Sequence, residues 1–381
     1  MVMQTDIVVV GAGPAGLMAS TVAASAGAGV LLMDERSWAG GRLGLQTQQL
    51  QGPDSMYRGR TGVDFCRGLL DAATPAGVKL VLDSAVSRIR SVRSKTPSLS
   101  FDVTPTKGED YQVASRAVII ASGSLEPRPV FPGSTLAGVM LSGDAQVMLA
   151  VDGVLPGNRV LMVGSDNAPL LIAANLRAAG AHIVAVVDES PRILGRELNV
   201  APLRDADVDL LLSTRLVAVQ GTGAVESATV AQTDSTGALV PGTERSFDVD
   251  AVCLAPARTS EASLAASAGC VLHEDAMEIM GGRAPVHSRR MTTTVLNVYV
   301  CGDSAGVESG AVALESGRLA GLSASADLGF VHPRTASLES LARGRLGYLR
   351  RGRVGLLRRR AKTALASEFR RIARARQVGR R

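Results

Sequence analysis

Histidine and cysteine are scarce, with four of each in 381 residues. His182, His273, His287 and His332 form no metal-ligand spacing, and no metal site is expected. Cys66, Cys253, Cys270 and Cys301 lie far apart without a C-x-x-C, which excludes a disulfide framework and a metal-cluster pattern. No G-x-S-x-G or other nucleophile motif is present, and no single side chain stands out as catalytic. Aromatic residues make up only 3% of the chain, too few for the stacking platforms that bind single-stranded nucleic acid. No apolar run reaches membrane-spanning length without Gly, Pro or charge. The N-terminus carries Asp6 and no basic region ahead of its apolar segment, unlike a secretory signal, so the expected location is cytoplasmic.

The net charge of +6 hides an asymmetry. Residues 337–381 hold 15 Lys/Arg against Glu339 and Glu368, or +13, which leaves 26 basic and 33 acidic residues in the rest, or −7. The basic balance belongs to the tail, and the body gives no reason to expect a nucleic-acid partner. At this length two domains with separate cores are expected.

What is present is glycine in register. Asp6–Glu35 reads DIVVVGAGPAGLMASTVAASAGAGVLLMDE. Ile7–Val10 has the β-branched run of a buried parallel strand. Gly11, Gly13 and Gly16 follow as G-x-G-x-x-G, suited in turn to a tight turn, to close approach of a pyrophosphate, and to helix–strand packing. Pro14 suits a first helical position, where no N–H is needed, and Ala15 follows it. Val30–Met33 is a second strand closed by Asp34, whose carboxylate can accept ribose hydroxyls; Glu35 is the alternative if the strand ends one residue later.

Beyond Glu35 a glycine-rich loop runs to Gly62, then a helix to Ala73, strands at Lys79–Leu82 and Ala85–Val92, and a polar hairpin through Val103 and Tyr111. RAVIIASGS (Arg116–Ser124) is another buried strand, ending at Ala121, Ser122 and Gly123, and Pro127–Gly133 reads as a linker. A second strand–turn–helix–strand–acid unit starts at Arg159, about 150 residues after the first, so the fold is duplicated. Thr292–Gly306 is a strand entering a turn, Ala311–Ala326 a helix, and Pro333 the end of the globular body.

The segments VVVGAGPAG, IIASGS, the second glycine unit and VYVCGD, in that order, resemble the two-dinucleotide-binding-domain flavoproteins of the pyridine nucleotide–disulfide oxidoreductase class. The resemblance implies an α/β protein with two Rossmann-like three-layer domains, the second inserted into the first. It implies FAD, with the pyrophosphate at Gly11, Gly13 and Gly16, a ribose on Asp34, the adenine beside Ala85–Val86, and a ribityl hydroxyl on Asp303 after Gly302. The helix after Gly310–Ala311 would aim its positive end at the flavin pyrimidine. A narrower resemblance lies in WAGGRLGLQTQQL, LEPRPVFPGSTLAGVMLSGDAQVML and VGSDN. These are similar to alpha-type subunits of heteromeric amine and amino-acid dehydrogenases, a group that includes opine oxidase, proline dehydrogenase, hydrogen cyanide synthase and sarcosine oxidase. By that resemblance Gly40, Gly41, Arg42 and Gln46–Thr47 lie near the isoalloxazine. Members often add a cysteine-rich iron–sulfur module that has no counterpart here.

In the second unit the glycine positions hold Gly164, Asp166 and Pro169. Asp166 puts a negative charge where a pyrophosphate would sit. At about 4 Å two like charges repel by roughly 1 kcal/mol in water and about 4 kcal/mol at an effective dielectric of 20. Asp188 stands at the ribose-acid position with no base beside it, so NAD is favoured over NADP if any nicotinamide cofactor binds.

The expected division is 1–134 and 258–332 for the FAD domain, 135–257 for the insert, and 333–381 for a basic tail. Leu357, Ala361, Leu365, Phe369 and Ile372 share one helix face in that tail, which suits an acidic partner, an anionic membrane surface, or packing on the acidic body. Gly347, Gly352 and Gly355 interrupt any longer helix, so a hinge is expected before Leu356. Three functions stay open: a self-contained oxidoreductase acting on a small-molecule substrate, an electron-accepting subunit beside a second oxidoreductase subunit, and a nucleotide-holding scaffold. An oligomer is expected.

Overall fold

The computed structural model describes residues 3–50, 59–92, 98–273 and 278–378. Residues 51–58 of the glycine-rich loop, 93–97 of the hairpin, and Arg380 and Arg381 of the tail lie outside them. The chain divides into two compact units, Met1–Leu125 with Arg258–Arg381, and Glu126–Ala257. Pro127–Gly133 thus groups with the insert, and the tail groups with the outer unit.

The outer unit is built on β1 (Met3–Val10), β2 (Val30–Met33), β3 (Lys79–Val81), β4 (Ser84–Val92), β5 (Ser98–Pro105) and β6 (Tyr111–Ile120), in the spatial order β3-β2-β1-β6-β5-β4. β1, β2, β3 and β6 are parallel, while β4 and β5 form an antiparallel meander on the lower part of β6. A short return strand, Val298–Val300, adds parallel to the upper end of β6. The central strands are buried on both faces, which is why Ile7–Val10 and Ala117–Ile120 are unbroken apolar runs rather than alternating ones. The long strand expected from Thr292 is shorter: Thr293 N–H donates back to Val298 O across a turn whose Asn297 has φ +61°, so only Val298–Val300 joins the sheet.

Helix α1 (Pro14–Ser25) and the helix Gly310–Asp327 pack against each other and against the sheet. Their contact is made backbone to backbone. A Cβ at Gly317 would lie 2.2 Å from Ala15 O, and one at Gly321 would lie 2.4 Å from Ala19 O. The small residues at one helical turn's spacing on both helices bring their two N-termini to the same end of the sheet.

The inserted unit repeats the plan with a five-stranded parallel sheet, in the order 209–211, 182–187, 159–163, 251–254, 139–141, and a separate three-stranded antiparallel sheet over 214–248.

The tail departs most from expectation. It forms two helices, Thr335–Leu349 and Gly352–Val378, and the break expected before Leu356 falls at Arg350–Arg351, just ahead of Gly352, which adopts φ +76°. Gly355 sits inside the second helix, against the backbone of Arg350. Ala342 and Leu346 are buried against the α1 layer. Ala361, Leu365, Phe369 and Ile372 pack on Met280, Ala284 and Val286, while Leu357 stays exposed. Pro333 is therefore not the end of the globular body. From Ala361 onward the apolar stripe is covered by the chain's own outer unit, and the last helix offers outward Val354, Leu356 and Leu357 in its first turns together with arginines that include Arg353, Arg360, Arg370 and Arg374.

Candidate functional site

The C-terminal ends of the parallel strands in the outer unit gather most of the residues singled out above. β1 ends at Gly11, β2 at Asp34, β6 at Ala121, and the return strand at Cys301–Gly302. Strand order reverses between β1 and β6, the place where open α/β sheets hold their ligands. Gly11 lies so near Ala121 that a Cβ there would meet its carbonyl oxygen at 2.3 Å, and Ala121 N–H donates to Val10 O. Ser84 N–H donates to Asp34 O, which sets the start of β4, with Ala85–Val86, beside the acid. Gly40 N–H donates to Ala12 O, and the short turn Gly41–Leu45, which includes Arg42, lies against Gly13. Leu43 of that turn would contact a Cβ at Gly310, the first residue of the long helix, with Ala311 next. Gln46 O accepts from Val63 N–H, so this loop is tied to α2 (Gly62–Ala73), with Thr47 exposed. Glu35 is exposed and Asp34 half-buried.

Comparison of the two units, hydrogen bond by hydrogen bond, shows what the outer turn is shaped for. Gly11 N–H donates to Met33 O at 2.7 Å, and Gly164 N–H to Val187 O at 2.7 Å. Ala12 N–H donates to Asp34 Oδ2 and Ser165 N–H to Asp188 Oδ2, both at 2.6 Å. Arg36 and Ser190 donate to the other oxygens at 2.9 and 2.8 Å. The backbones at Gly13 (φ −71°, ψ −179°) and Asp166 (φ −79°, ψ −176°) coincide. Only the side chains differ. Asp166 Oδ1 accepts from Ala168 N–H at 2.8 Å and caps its own helix, Asn167–Ala178. The equivalent N–H groups of α1 have no side-chain cap and no acid in the first turn.

The outer turn is therefore open to an anion, whereas the inner one is filled by the protein's own carboxylate. A Cβ at Gly13 would find only Gly41 Cα, 4.0 Å away, so nothing in the protein's own packing requires glycine there. Gly16 is different: a Cβ would stand 1.8 Å from Gly11 O. The inner turn is also closed over by its neighbours. Gly195 N–H donates to Ser165 O, Leu194 N–H to Ser165 Oγ, and Asn199 Nδ2 to Asn167 Oδ1.

These residues fit a dinucleotide in the outer unit. Asp34 uses two of its roughly four acceptor positions on backbone N–H groups and keeps the others. Asp303 accepts from Ser124 Oγ at 3.0 Å and Arg258 Nη1 at 2.8 Å on Oδ2, and from Glu308 N–H at 3.1 Å on Oδ1, which leaves room for one further donor. Gly123 N–H and Ser122 Oγ both meet Ser304 Oγ, so IIASGS and the turn after Gly302 form one network, closed by Glu261 Oε2 on Ser122 Oγ at 2.7 Å. Gln48 Oε1, in the loop after Gly41, is buried without a hydrogen-bond partner among the described residues, an acceptor free for a ligand's N–H.

Arg258, Glu261, Glu308, Arg350 and Lys362 were not foreseen. Arg258 and Glu261 belong to the segment that returns from the insert, and Arg350 and Lys362 to the tail. All are joined to the site only through the fold.

The four cysteines are buried, unpaired thiols. Burial pushes Cys66, Cys253 and Cys301 up to about 12 and raises Cys270 as well, so each is protonated and unreactive near neutral pH. Cys66 Sγ lies 3.5 Å from Gly40 O as a weak donor. Replacing all four with Ala or Ser is expected to leave flavin reduction by the natural donor nearly intact. Loss of reduction with flavin still bound would reveal a catalytic thiol. No metal-holding cluster of His, Cys, Asp and Glu occurs among the described residues. No described helix is long and apolar enough to cross a membrane.

Fold and site together define an α/β oxidoreductase with two dinucleotide-type domains. The chain belongs to the pyridine nucleotide-disulphide oxidoreductase family, which it matches over residues 5–317. It is 32% identical over 346 residues to an opine oxidase subunit of Agrobacterium tumefaciens, covering 87% of this chain and 67% of that protein. It is 33% identical over 197 residues to the alpha subunit of sarcosine oxidase from Corynebacterium sp., covering 49% of this chain and 19% of that protein. The chain thus spans two thirds or less of the length of these relatives. Among solved structures the fold matches thioredoxin reductase from T. acidophilum (TM-score 0.68, 20% identity, 85% of this chain and 99% of that one). It also matches L-proline dehydrogenase from P. horikoshii (TM-score 0.67, 17% identity, 90% of this chain and 60% of that one).

Proposed function

We propose that this protein is an FAD-dependent oxidoreductase in which hydride or electrons pass through flavin N5, without a redox-active disulfide, in the oxidation of an amine or amino-acid substrate. The observation that carries the reading is the pair of matched turns, one open at Gly13 and one filled by Asp166. The same backbone is furnished for a dinucleotide in one unit and not in the other. Bound FAD would supply the two-electron chemistry. The chain's own residues would do the rest. The N–H groups at the start of α1 hold the pyrophosphate, Asp34 a ribose and Asp303 a ribityl hydroxyl. The helix Gly310–Asp327 lends the positive end of its dipole. The substrate class is the one that the opine oxidase and sarcosine oxidase relatives suggest.

A second reading has its own support. The relatives above are named as subunits of larger oxidases, which favours a chain that receives electrons beside a substrate-oxidising partner. The arginine face of the last helix offers such a partner, or an anionic surface, a salt-sensitive contact.

The purified chain separates the readings. Yellow protein that is bleached anaerobically by an amine or amino acid is a self-contained enzyme. Bleaching only after the co-purified partner is added marks the electron-accepting role, and protein that never holds flavin sinks both.

Nicotinamide cofactor is expected to bind poorly, because Asp166 occupies the N–H group a phosphate needs. Rapid mixing with micromolar NADH should bleach the flavin slowly or not at all, and Asp166→Gly should speed it. Fast bleaching of the unaltered protein would overturn this.

A further inference from the structure

Between Asp303 and Gly310 runs a loop with a flavin-site residue at each end, and its middle is held by the tail. Lys362 Nζ donates to Ala305 O at 2.5 Å, lies 3.4 Å from His287 Nε2 and 4.0 Å from Glu308 Oε1. Arg350 grips Glu308 with two bonds, Nε at 2.8 Å and Nη2 at 2.6 Å. The Glu308 side chain is 3% exposed, that of Lys362 12% and that of Arg350 13%. On the far side Val307 N–H donates to Met280 O, and Met280 is covered in turn by Ala361 and Leu365.

The tautomer of His287 follows from its surroundings. Nδ1 faces Pro285 O at 3.0 Å and must donate to it, which leaves the Nε2 lone pair to accept from Lys362. Burial and the nearby Lys362 charge keep His287 well below its ordinary range, and so neutral. Burial lowers Lys362 to about 8, against the pull of Glu308, so it remains an ammonium at neutral pH, hydrogen-bonded to Ala305 O and His287 Nε2 and ion-paired with Glu308. Lys362 and Arg350 both turn their charge on the loop, Lys362 on Ala305 O and Arg350 on the Glu308 carboxylate.

We propose that the tail is a working part of the cofactor site: Lys362 and Arg350 are positioning residues that fix the backbone of Ala305–Glu308, and through it the Asp303 carboxylate and the start of the helix at Gly310. Glu308 links the two ends directly, since its N–H donates to Asp303 Oδ1 while its carboxylate is held by Arg350. The inference rests on the FAD reading above. Its consequence is that cofactor affinity is set in part from a segment that lies outside both dinucleotide motifs.

The test compares full-length Lys362→Met, Arg350→Lys and Leu365→Ala as apoproteins, each checked for fold by circular dichroism. Leu365→Ala cuts the packing of the same helix without touching the loop. Flavin affinity is read from fluorescence quenching on FAD addition, and stability from thermal melting without FAD. Lys362→Met is expected to weaken FAD binding at least tenfold and Arg350→Lys several-fold, with a changed visible flavin band. Leu365→Ala should lower the melting temperature and leave affinity within twofold. If Lys362→Met does not fold, Arg350→Lys carries the comparison. Affinity unchanged in both loop variants, or lost in proportion to stability in all three, overturns the proposal. An unaltered protein that fails to bind FAD sinks the underlying reading instead, before any variant is compared.

Discussion

Gly13→Val is expected to give folded, colourless protein. The backbone at Gly13 has φ −71°, within reach of any residue, so valine brings no strain there. A Cβ at this position would meet only Gly41 Cα, at 4.0 Å, so the fold should tolerate it. The space the valine methyls would fill lies in front of the uncapped N-terminus of α1, where the pyrophosphate is assigned. Hydrogen bonds to charged groups contribute about 1.5–3 kcal/mol each, and displacing two of them weakens binding by more than about a hundredfold. The expected readout is a native far-ultraviolet circular dichroism spectrum with no flavin absorbance, and no recovery on adding FAD. A full flavin spectrum in this variant would sink the assignment of the outer turn. Gly16→Ala makes the contrast. Its Cβ would stand 1.8 Å from Gly11 O, so that variant should lose the fold itself. Two glycines of one motif are thus separable, one kept free for a ligand and one demanded by helix–strand contact.

That separation marks how far the sequence could be read. The motif register placed Gly11, the start of α1 and Asp34 because their relations are local. Turn, helix start and strand end follow one another within thirty residues and are set by sterics and by backbone hydrogen bonds. The duplication was legible for the same reason, and so was the misfit at Asp166. What was not legible is long-range. Gly317 and Gly321 look like ordinary helix-weakening residues until Ala15 and Ala19 are seen lying against them. Glu308 reads as one charge in a polar turn, and Lys362 as one of many basic residues in the tail. Their pairing spans more than fifty residues and depends on where two helices dock. Which of Gly347, Gly352 and Gly355 would mark the break in the tail was equally hidden, because all three were eligible and only Gly352 takes a positive φ. Arg258 shares this fate, since the segment that carries it reaches Asp303 only after the insert has closed on itself.

Truncation after Pro333 is expected to leave an insoluble or molten chain rather than a trimmed enzyme. Two buried carboxylates look to the tail for their partners. Glu308 would lose Arg350 and Lys362 together, and Glu315, which is fully buried, would lose Arg345 Nη1 at 3.0 Å and keep only Arg318 Nε at 3.0 Å. Removing the partner of a buried charge costs about 3–5 kcal/mol, because the remaining charge is left without solvent or counter-ion. Glu308 alone would take that cost, and Glu315 a smaller one. The same cut uncovers Met280, Ala284 and Val286, now packed under Ala361 and Leu365, and the face of the α1 layer beneath Ala342 and Leu346. Each large buried side chain contributes about 1.5–3 kcal/mol. Together these losses reach the whole stability of an ordinary domain, about 5–15 kcal/mol. The measurement is the soluble fraction on expression, followed by thermal melting of whatever remains soluble. A truncated protein that melts cooperatively near the full-length temperature would show that the two helices are an appendage. Charge reversal on the outward face, at Arg353, Arg360, Arg370 and Arg374, supplies the complementary result. Those residues are exposed, so the fold and flavin content should persist while any salt-sensitive attachment to a partner or an anionic vesicle is lost. The tail would then have two faces with separable roles, an inner one that completes the cofactor domain and an outer one that is free to be recognised.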